Sequence, residues 1–133
     1  MNRNIKAIII DDDSVNNSLV KMSLTKYGGL MDIISFTSAI DALETIGTFD
    51  KSLHNGYPTI ILLDINMPVM NGWAFLNEYD KLEDCIKSHN KIYMLSSSID
   101  WHDIELSKEN RNVNGYFIKP LLQDKILSLL NNV

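Results

Sequence analysis

Ile5-Lys6-Ala7-Ile8-Ile9-Ile10-Asp11-Asp12-Asp13 is an almost unbroken apolar run that stops against three carboxylates. A short β-branched run of this kind favours a strand, and one without polar alternation is a strand buried on both faces. Four more runs of the same character follow, at Asp32 to Phe36, Thr59 to Leu63, Lys91 to Leu95 and Gly115 to Ile118. The segments between them are long enough for helices, and strands alternating with helices predict a parallel sheet covered on both sides, a doubly wound α/β fold.

The intervening segments differ in how well they read as helices. Ser14 to Tyr27 carries Val15, Leu19, Met22 and Lys26 at helical spacing and ends at Gly28-Gly29, a suitable left-handed cap. Ser38-x-x-Asp41 is a capping pattern ahead of Leu43 and Ile46. From Gly72, the residues Phe75, Tyr79, Leu82 and Ile86 share one face, and near the C-terminus Leu122, Ile126, Leu129, Leu130 and Val133 do the same. Asp100 to Asn110 has only Trp101, Ile104 and Leu106 to offer, the sparsest stripe of the five. Thr48 to Tyr57 reads as a surface loop, and Asn55-Gly56-Tyr57-Pro58 as the turn that leads into the third strand.

Right-handed crossovers bring every strand's carboxyl end to one edge of such a sheet, where ligands bind. The polar residues fall there: Asp11-Asp12-Asp13 after the first strand, Asp64 after the third, Ser96-Ser97-Ser98 after the fourth and Lys119-Pro120 after the fifth. Only the second strand ends blandly, at Phe36-Thr37, as suits an outer strand, so the predicted order is 2-1-3-4-5. Converging carboxylates repel by roughly 3 kcal/mol per pair at about 5 Å and an effective dielectric near 20. The site therefore needs positive charge. Hard oxygen donors without sulfur or imidazole point to Mg²⁺, with Mn²⁺ as the alternative, and Lys119 supplies a second cation. Taken one at a time these residues have bland readings, since Asp13 or Ser14 suits a helix N-cap and Ser96 a loop hydroxyl. Their joint placement on four strand ends favours a site.

Bulk properties narrow the function. The 133 residues are 45% hydrophobic and 22% charged, which suits one globular domain over residues 1–133. The net charge of −5, with 12 basic residues that form no runs, predicts no direct nucleic-acid partner. No apolar stretch approaches the roughly 20 residues of a membrane span, and no export signal is visible, so a cytoplasmic protein without membrane contact is expected. Cys85 is alone and reads as packing, as do Trp73 and the methionines, while His54, His89 and His102 lack ligand spacing and read as solvated.

Over nearly its whole length the sequence resembles the receiver domains of two-component signalling, of the single-domain chemotaxis-regulator type. Asp11-Asp12 resembles that family's acidic pair, and Leu62-Leu63-Asp64-Ile65-Asn66-Met67-Pro68-Val69-Met70-Asn71-Gly72 its phosphoacceptor motif. Met94-Leu95-Ser96-Ser97-Ser98 is similar to the segment bearing the Ser/Thr switch residue, and Gly115-Tyr116-Phe117-Ile118-Lys119-Pro120 to the aromatic-switch and lysine segment. The resemblance implies a flavodoxin-like three-layer sandwich with no output domain, and a cis Lys119-Pro120 bond. It further implies a phosphoprotein of a phosphorelay, phosphorylated on Asp64 by a sensor histidine kinase or a histidine phosphotransfer protein. Mg²⁺ would be held by Asp12, Asp64 and the Asn66 backbone carbonyl, with Asp11 acting through a metal-bound water. Lys119 and Ser96 would contact the phosphoryl oxygens, and Ser96 with Tyr116 would form the switch towards a downstream protein target. Such a regulator catalyses only its own phosphoryl transfer and dephosphorylation and is not otherwise an enzyme.

Two rival readings remain. Asp11-Asp12-Asp13-Ser14-Val15 also resembles the Asp-x-Asp-x-Thr/Val motif of haloacid-dehalogenase-like phosphatases, with Asp11 as nucleophile and Asp13 as general acid. That reading leaves the Asp64 motif without a role. A binding module with this fold that is never phosphorylated is the other.

Overall fold

The computed structural model describes residues 5–28, 31–48 and 58–131. Five strands form one parallel sheet: β1 (Ile5–Ile10), β2 (Met31–Phe36), β3 (Thr59–Asp64), β4 (Asn90–Ser96) and β5 (Val113–Ile118). Their order is β2-β1-β3-β4-β5, as expected. Among the described residues the main helices are α1 (Ser14–Gly28), α2 (Ala39–Gly47), α3 (Gly72–Tyr79), α4 (Trp101–Glu109) and α5 (Gln123–Asn131), with a single extra turn at Asp84–Lys87. The expected loop over Thr48 to Tyr57 lies, from residue 49 onward, outside the described residues, together with Gly29, His54 and Val133.

Strand alternation divides the core in two. Ile8 and Ile10 of β1, Ile61 and Leu63 of β3, and Ile92 and Met94 of β4 pack against Ala42 and Ile46 of α2 and Phe75, Leu76 and Tyr79 of α3. Ala7 and Ile9, Ile60 and Leu62, and Tyr93 and Leu95 face the other way, onto Val20 and Leu24 of α1 and Ile126, Leu129 and Leu130 of α5. Every residue of β3 is buried. At roughly 2 kcal/mol for each large apolar side chain removed from water, this central strand anchors the sheet.

Three helices depart from their sequence readings. In α1 the stripe Val15, Leu19 and Met22 faces outward, at 66%, 57% and 68% exposure, and the buried face is Asn17, Val20 and Leu24. Both stripes have helical spacing, and contact with β1 and α5 decides between them. The stripe that began at Gly72 does not run on as one helix: α3 stops at Tyr79, and Leu82 and Ile86 reach the core from the loop and the single turn beyond. In α5 Ile126, Leu129 and Leu130 are buried as read, but Leu122 is exposed ahead of the helix. α4, the sparsest by sequence, does form. Its Asp100 side chain accepts from the His102 and Asp103 backbone N–H groups, and it lies along β5 with Trp101 exposed.

Candidate functional site

The helices that follow β1, β2, β3 and β4 start at the carboxyl edge of the sheet, each behind a side chain that accepts its orphan N–H groups. Asp13 Oδ1 accepts from Val15 N (3.0 Å) and Asn16 N (3.2 Å), Ser38 from Asp41 N, Asn71 from Ala74 N, and Asp100 as above. These four residues are thereby accounted for as N-caps. What remains at the edge is Asp11, Asp12, Asp64, Ser96 and Lys119.

One ligand oxygen from each of Asp11, Asp12 and Asp64 can be chosen so that all lie within 4.8 Å of one another, which is the expected acidic cluster. Asp11 and Asp64 are 0% and 4% exposed, whereas Asp12 is exposed. Burial of the first two follows from the backbone: Asp11 N continues the ladder by donating to Phe36 O, and Ile65 N donates to Leu95 O just past Asp64. Lys119 Nζ lies 2.7 Å from Asp11 Oδ2 and 3.2 Å from Asp64 Oδ1, bridging the first and third strand ends from the fifth. Its own backbone N–H donates to Ser96 O at 2.8 Å, and the Lys119-Pro120 bond is cis, as the resemblance implied.

These charges perturb each other. Burial and the neighbouring Asp11 carboxylate push the Asp64 pKa up to about 6, against the opposing pull of Lys119. For Lys119, burial acts to lower the pKa, but the hydrogen bond and charge of Asp11 and the charge of Asp64 outweigh it and hold the ammonium above its ordinary value. One lysine does not neutralise three carboxylates, so Asp64 stays in a field that disfavours its own charge. An all-oxygen cluster with one exposed member suits a hard divalent cation that retains water.

Asp11 is the most constrained of the three. Oδ1 accepts from Asp13 N at 2.9 Å, and Oδ2 accepts from Lys119 Nζ and from the Asn16 side-chain amide, each at 2.7 Å. Asn17 Nδ2 donates to the Asp11 carbonyl at 2.9 Å. Neither asparagine stood out in the sequence. The available signal was a pair of amides on the first turn after a strand-end carboxylate, where an apolar face would be expected.

The loop after β3 is shaped by its backbone. Gly72 N donates to Ile65 O at 2.9 Å, and a Cβ on Gly72 would sit 2.8 Å from Asp64 O, so only glycine lets α3 start against the residue at the strand end. Met70 N donates to Pro68 O at 2.7 Å around Val69, whose φ is 69° and which is 94% exposed. This is the strained form of γ-turn, and a β-branched residue there stores strain beside the site. Asn66, two residues past Asp64 in the same loop, has its side chain exposed.

The two expected switch residues meet on one acceptor. Ser96 Oγ donates to Ser98 O at 2.7 Å, and the Tyr116 hydroxyl donates to the same oxygen at 3.4 Å. Behind them Trp73 Nε1 donates to Asp103 Oδ1 at 3.1 Å, tying the start of α3 to the first turn of α4. The described histidines take no part: His89 ends the turn before β4, where its carbonyl accepts from Thr59 N, and His102 is exposed on α4.

The response regulator receiver domain family model matches residues 7–131. Among solved structures, a response regulator receiver protein from Dyadobacter fermentans is 28% identical, covering 96% of each chain with a TM-score of 0.85. A two-component response regulator from Cytophaga hutchinsonii is also 28% identical with a TM-score of 0.85, covering 98% of this chain and 96% of that one. The sensor histidine kinase CheAY of Helicobacter pylori is 31% identical over 74 residues, 56% of this chain and 8% of that protein. The chain spans less than half the length of the curated relatives it matches. No helix among the described residues is long and apolar enough to cross a membrane.

Proposed function

The chain belongs to the response regulator receiver domain family, and on that premise we propose that it accepts a phosphoryl group on Asp64 from the phosphohistidine of a sensor histidine kinase or histidine phosphotransfer protein. The observation that carries this reading is the buried Asp64 carboxylate at the end of β3, 3.2 Å from Lys119 Nζ and clustered with Asp11 and Asp12. An Asp64 oxygen attacks phosphorus in line while the P–N bond to the donor imidazole breaks. The imidazole leaves with the bonding pair, so no general acid is required. Before a cation binds, burial and the Asp11 carboxylate push the Asp64 pKa up to about 6, so the group is still mostly ionised at neutral pH. Mg²⁺ held by Asp12, Asp64 and the Asn66 carbonyl would offset the charge on the equatorial oxygens. Lys119 turns towards those oxygens, and Ser96 reaches them once it leaves Ser98 O.

The chemistry is self-phosphorylation and its reversal by water, without turnover of a separate substrate. Two features weigh against the phosphatase alternative: Asp13, its general acid, is the N-cap of α1, and Asp11, its nucleophile, has both oxygens engaged. Incubation with acetyl phosphate and Mg²⁺, then borohydride reduction and peptide mapping, is expected to place one label per chain on Asp64. Label on Asp11, or steady hydrolysis of phosphomonoesters, would overturn the reading.

Output follows from the shared acceptor. When the phosphoryl group draws Ser96 inward, Ser98 O loses its nearer donor and the Tyr116 ring can shift, altering the surface of α4 and β5 where Trp101 is exposed. Ser96→Ala is expected to leave Asp64 phosphorylation intact while abolishing the change that beryllofluoride causes in Trp101 fluorescence, read in a Trp73→Phe background. An unchanged response in Ser96→Ala would mean that the signal leaves by another route.

A further inference from the structure

We propose that Asn16 is a positioning residue for phosphoryl transfer, keeping the Asp11 carboxylate satisfied when Lys119 swings from Asp11 to the phosphoryl oxygens. This rests on the receiver reading above and concerns a residue outside its catalytic set.

An ionised carboxylate only accepts hydrogen bonds, so the Asn16 atom 2.7 Å from Asp11 Oδ2 is its amide nitrogen. The amide is not needed to start the helix, because Asp13 already accepts from the Val15 and Asn16 backbone N–H groups. Nor does it hold the backbone of the strand ends to α1, a task that falls to Asn17, whose Nδ2 donates to the carbonyls of Asp11 (2.9 Å) and Phe36 (3.4 Å). Asn16 therefore addresses only the carboxylate, and the same oxygen that Lys119 holds at 2.7 Å.

That double occupancy matters because Lys119 has two duties. At rest its ammonium is shared between Asp11 and Asp64. A phosphoryl group on Asp64 presents new oxygens, and as the ammonium shifts onto them its bond to Asp11 Oδ2 lengthens. Asp11 is fully buried, so bulk water has no direct access to Oδ2 once the ammonium leaves it. A buried acceptor left without a partner pays its desolvation cost in full. With Asn16 in place, Oδ2 keeps one strong donor in both states and Oδ1 keeps Asp13 N. The amide thus lowers the cost of releasing Lys119 and holds the carboxylate plane still while it moves.

Asn16→Ala should therefore spare the resting site and penalise the loaded one. Isothermal titration of the intact protein with Mg²⁺ alone should give the parent affinity within about twofold. Beryllofluoride affinity at saturating Mg²⁺, and the rate of phosphorylation by acetyl phosphate, should each fall by about tenfold, the scale of one buried acceptor left unpaired. Asn16→Asp, which sets an acceptor where a donor is needed, should fall further than Asn16→Ala in both. Equal losses of Mg²⁺ and beryllofluoride affinity in Asn16→Ala would make Asn16 a structural residue and overturn the proposal. Unchanged beryllofluoride affinity, or an Asn16→Asp no worse than Asn16→Ala, would overturn it too. Failure of the parent protein to bind beryllofluoride would instead remove the receiver reading and this inference with it.

Discussion

Two aspartates at opposite edges of the sheet are treated in opposite ways. At the carboxyl edge Asp64 is buried among like charges with one lysine between them, and its pKa rises to about 6. At the amino edge Asp80, just past α3, is held by a fork of Arg111 (Nε to Oδ1 and Nη2 to Oδ2, each 3.0 Å) and by Asn112 Nδ2 at 2.9 Å. Lys87 Nζ adds a bond to the Asp80 carbonyl at 2.8 Å. The hydrogen bonds from Asn112 and Arg111 lower the Asp80 pKa. One cluster closes its charge balance within the fold, and the other leaves a deficit that a cation or a transferred group can fill. A relaxed cluster holds the chain together, and an unrelaxed one is free to do chemistry.

The largest effect that could break this contrast belongs to Asp64. Its folded pKa lies above its ordinary 3.8. The stability linked to its proton is therefore fully present below pH 3.8 and is lost as pH rises through about 6. The loss is on the order of 3 kcal/mol. Asp64→Asn in Mg²⁺-free buffer is thus expected to be more stable than the parent at pH 7 by up to that amount, with the gain fading towards pH 4. Denaturant titrations across that range measure it. A parent protein as stable as Asp64→Asn at pH 7 would mean that the cluster stores no repulsion.

Next in size is the cation's own contribution. A ligand that binds only the folded state at a hundredfold excess over its dissociation constant stabilises by roughly 2.7 kcal/mol. Mg²⁺ is expected to raise the melting temperature of the parent accordingly, and Asp12→Ala to forfeit most of that rise. Indifference of the parent to Mg²⁺ would remove the difference between the two edges.

How much of this was legible in the sequence depends on how local each cause is. The strand order and the gathering of Asp11, Asp12, Asp64, Ser96 and Lys119 followed from which residues end each strand, because parallel topology converts sequence position into edge position. The inward face of α1 did not follow. Val15, Leu19 and Met22 repeat as regularly as Val20 and Leu24, and the choice between them is made by β1 and α5 from outside the helix. The surroundings of the end of α3 were hidden for a similar reason: Arg111 and Asn112, which hold Asp80 just past it, lie 31 and 32 positions away. Asn16 was missed because its partner is a carboxylate already assigned another role. The Asp64 motif was plain because its spacing reflects one loop, closed by the approach of Gly72 to Asp64 O.

The smallest effect belongs to Asp80, and its sign is the useful part. Its folded pKa is depressed, so the stability it confers is present above its ordinary 3.8 and is lost as pH falls through the lower folded value. Asp80→Asn keeps the shape, gives up the charge, and leaves Arg111 without its fork. The cost should be small, because the cluster lies at the surface, where water screens it and replaces lost partners. Salt should shrink it further, while phosphorylation of Asp64 proceeds at the parent rate. The informative comparison is the pair of difference curves against pH. Asp64→Asn should gain on the parent as pH rises from 4 to 6, whereas Asp80→Asn should fall behind it once pH exceeds the folded Asp80 value. If the two curves have the same sign, the two edges are not electrostatic opposites. A loss of Asp64 phosphorylation in Asp80→Asn would mean that the amino edge reaches the site through α3.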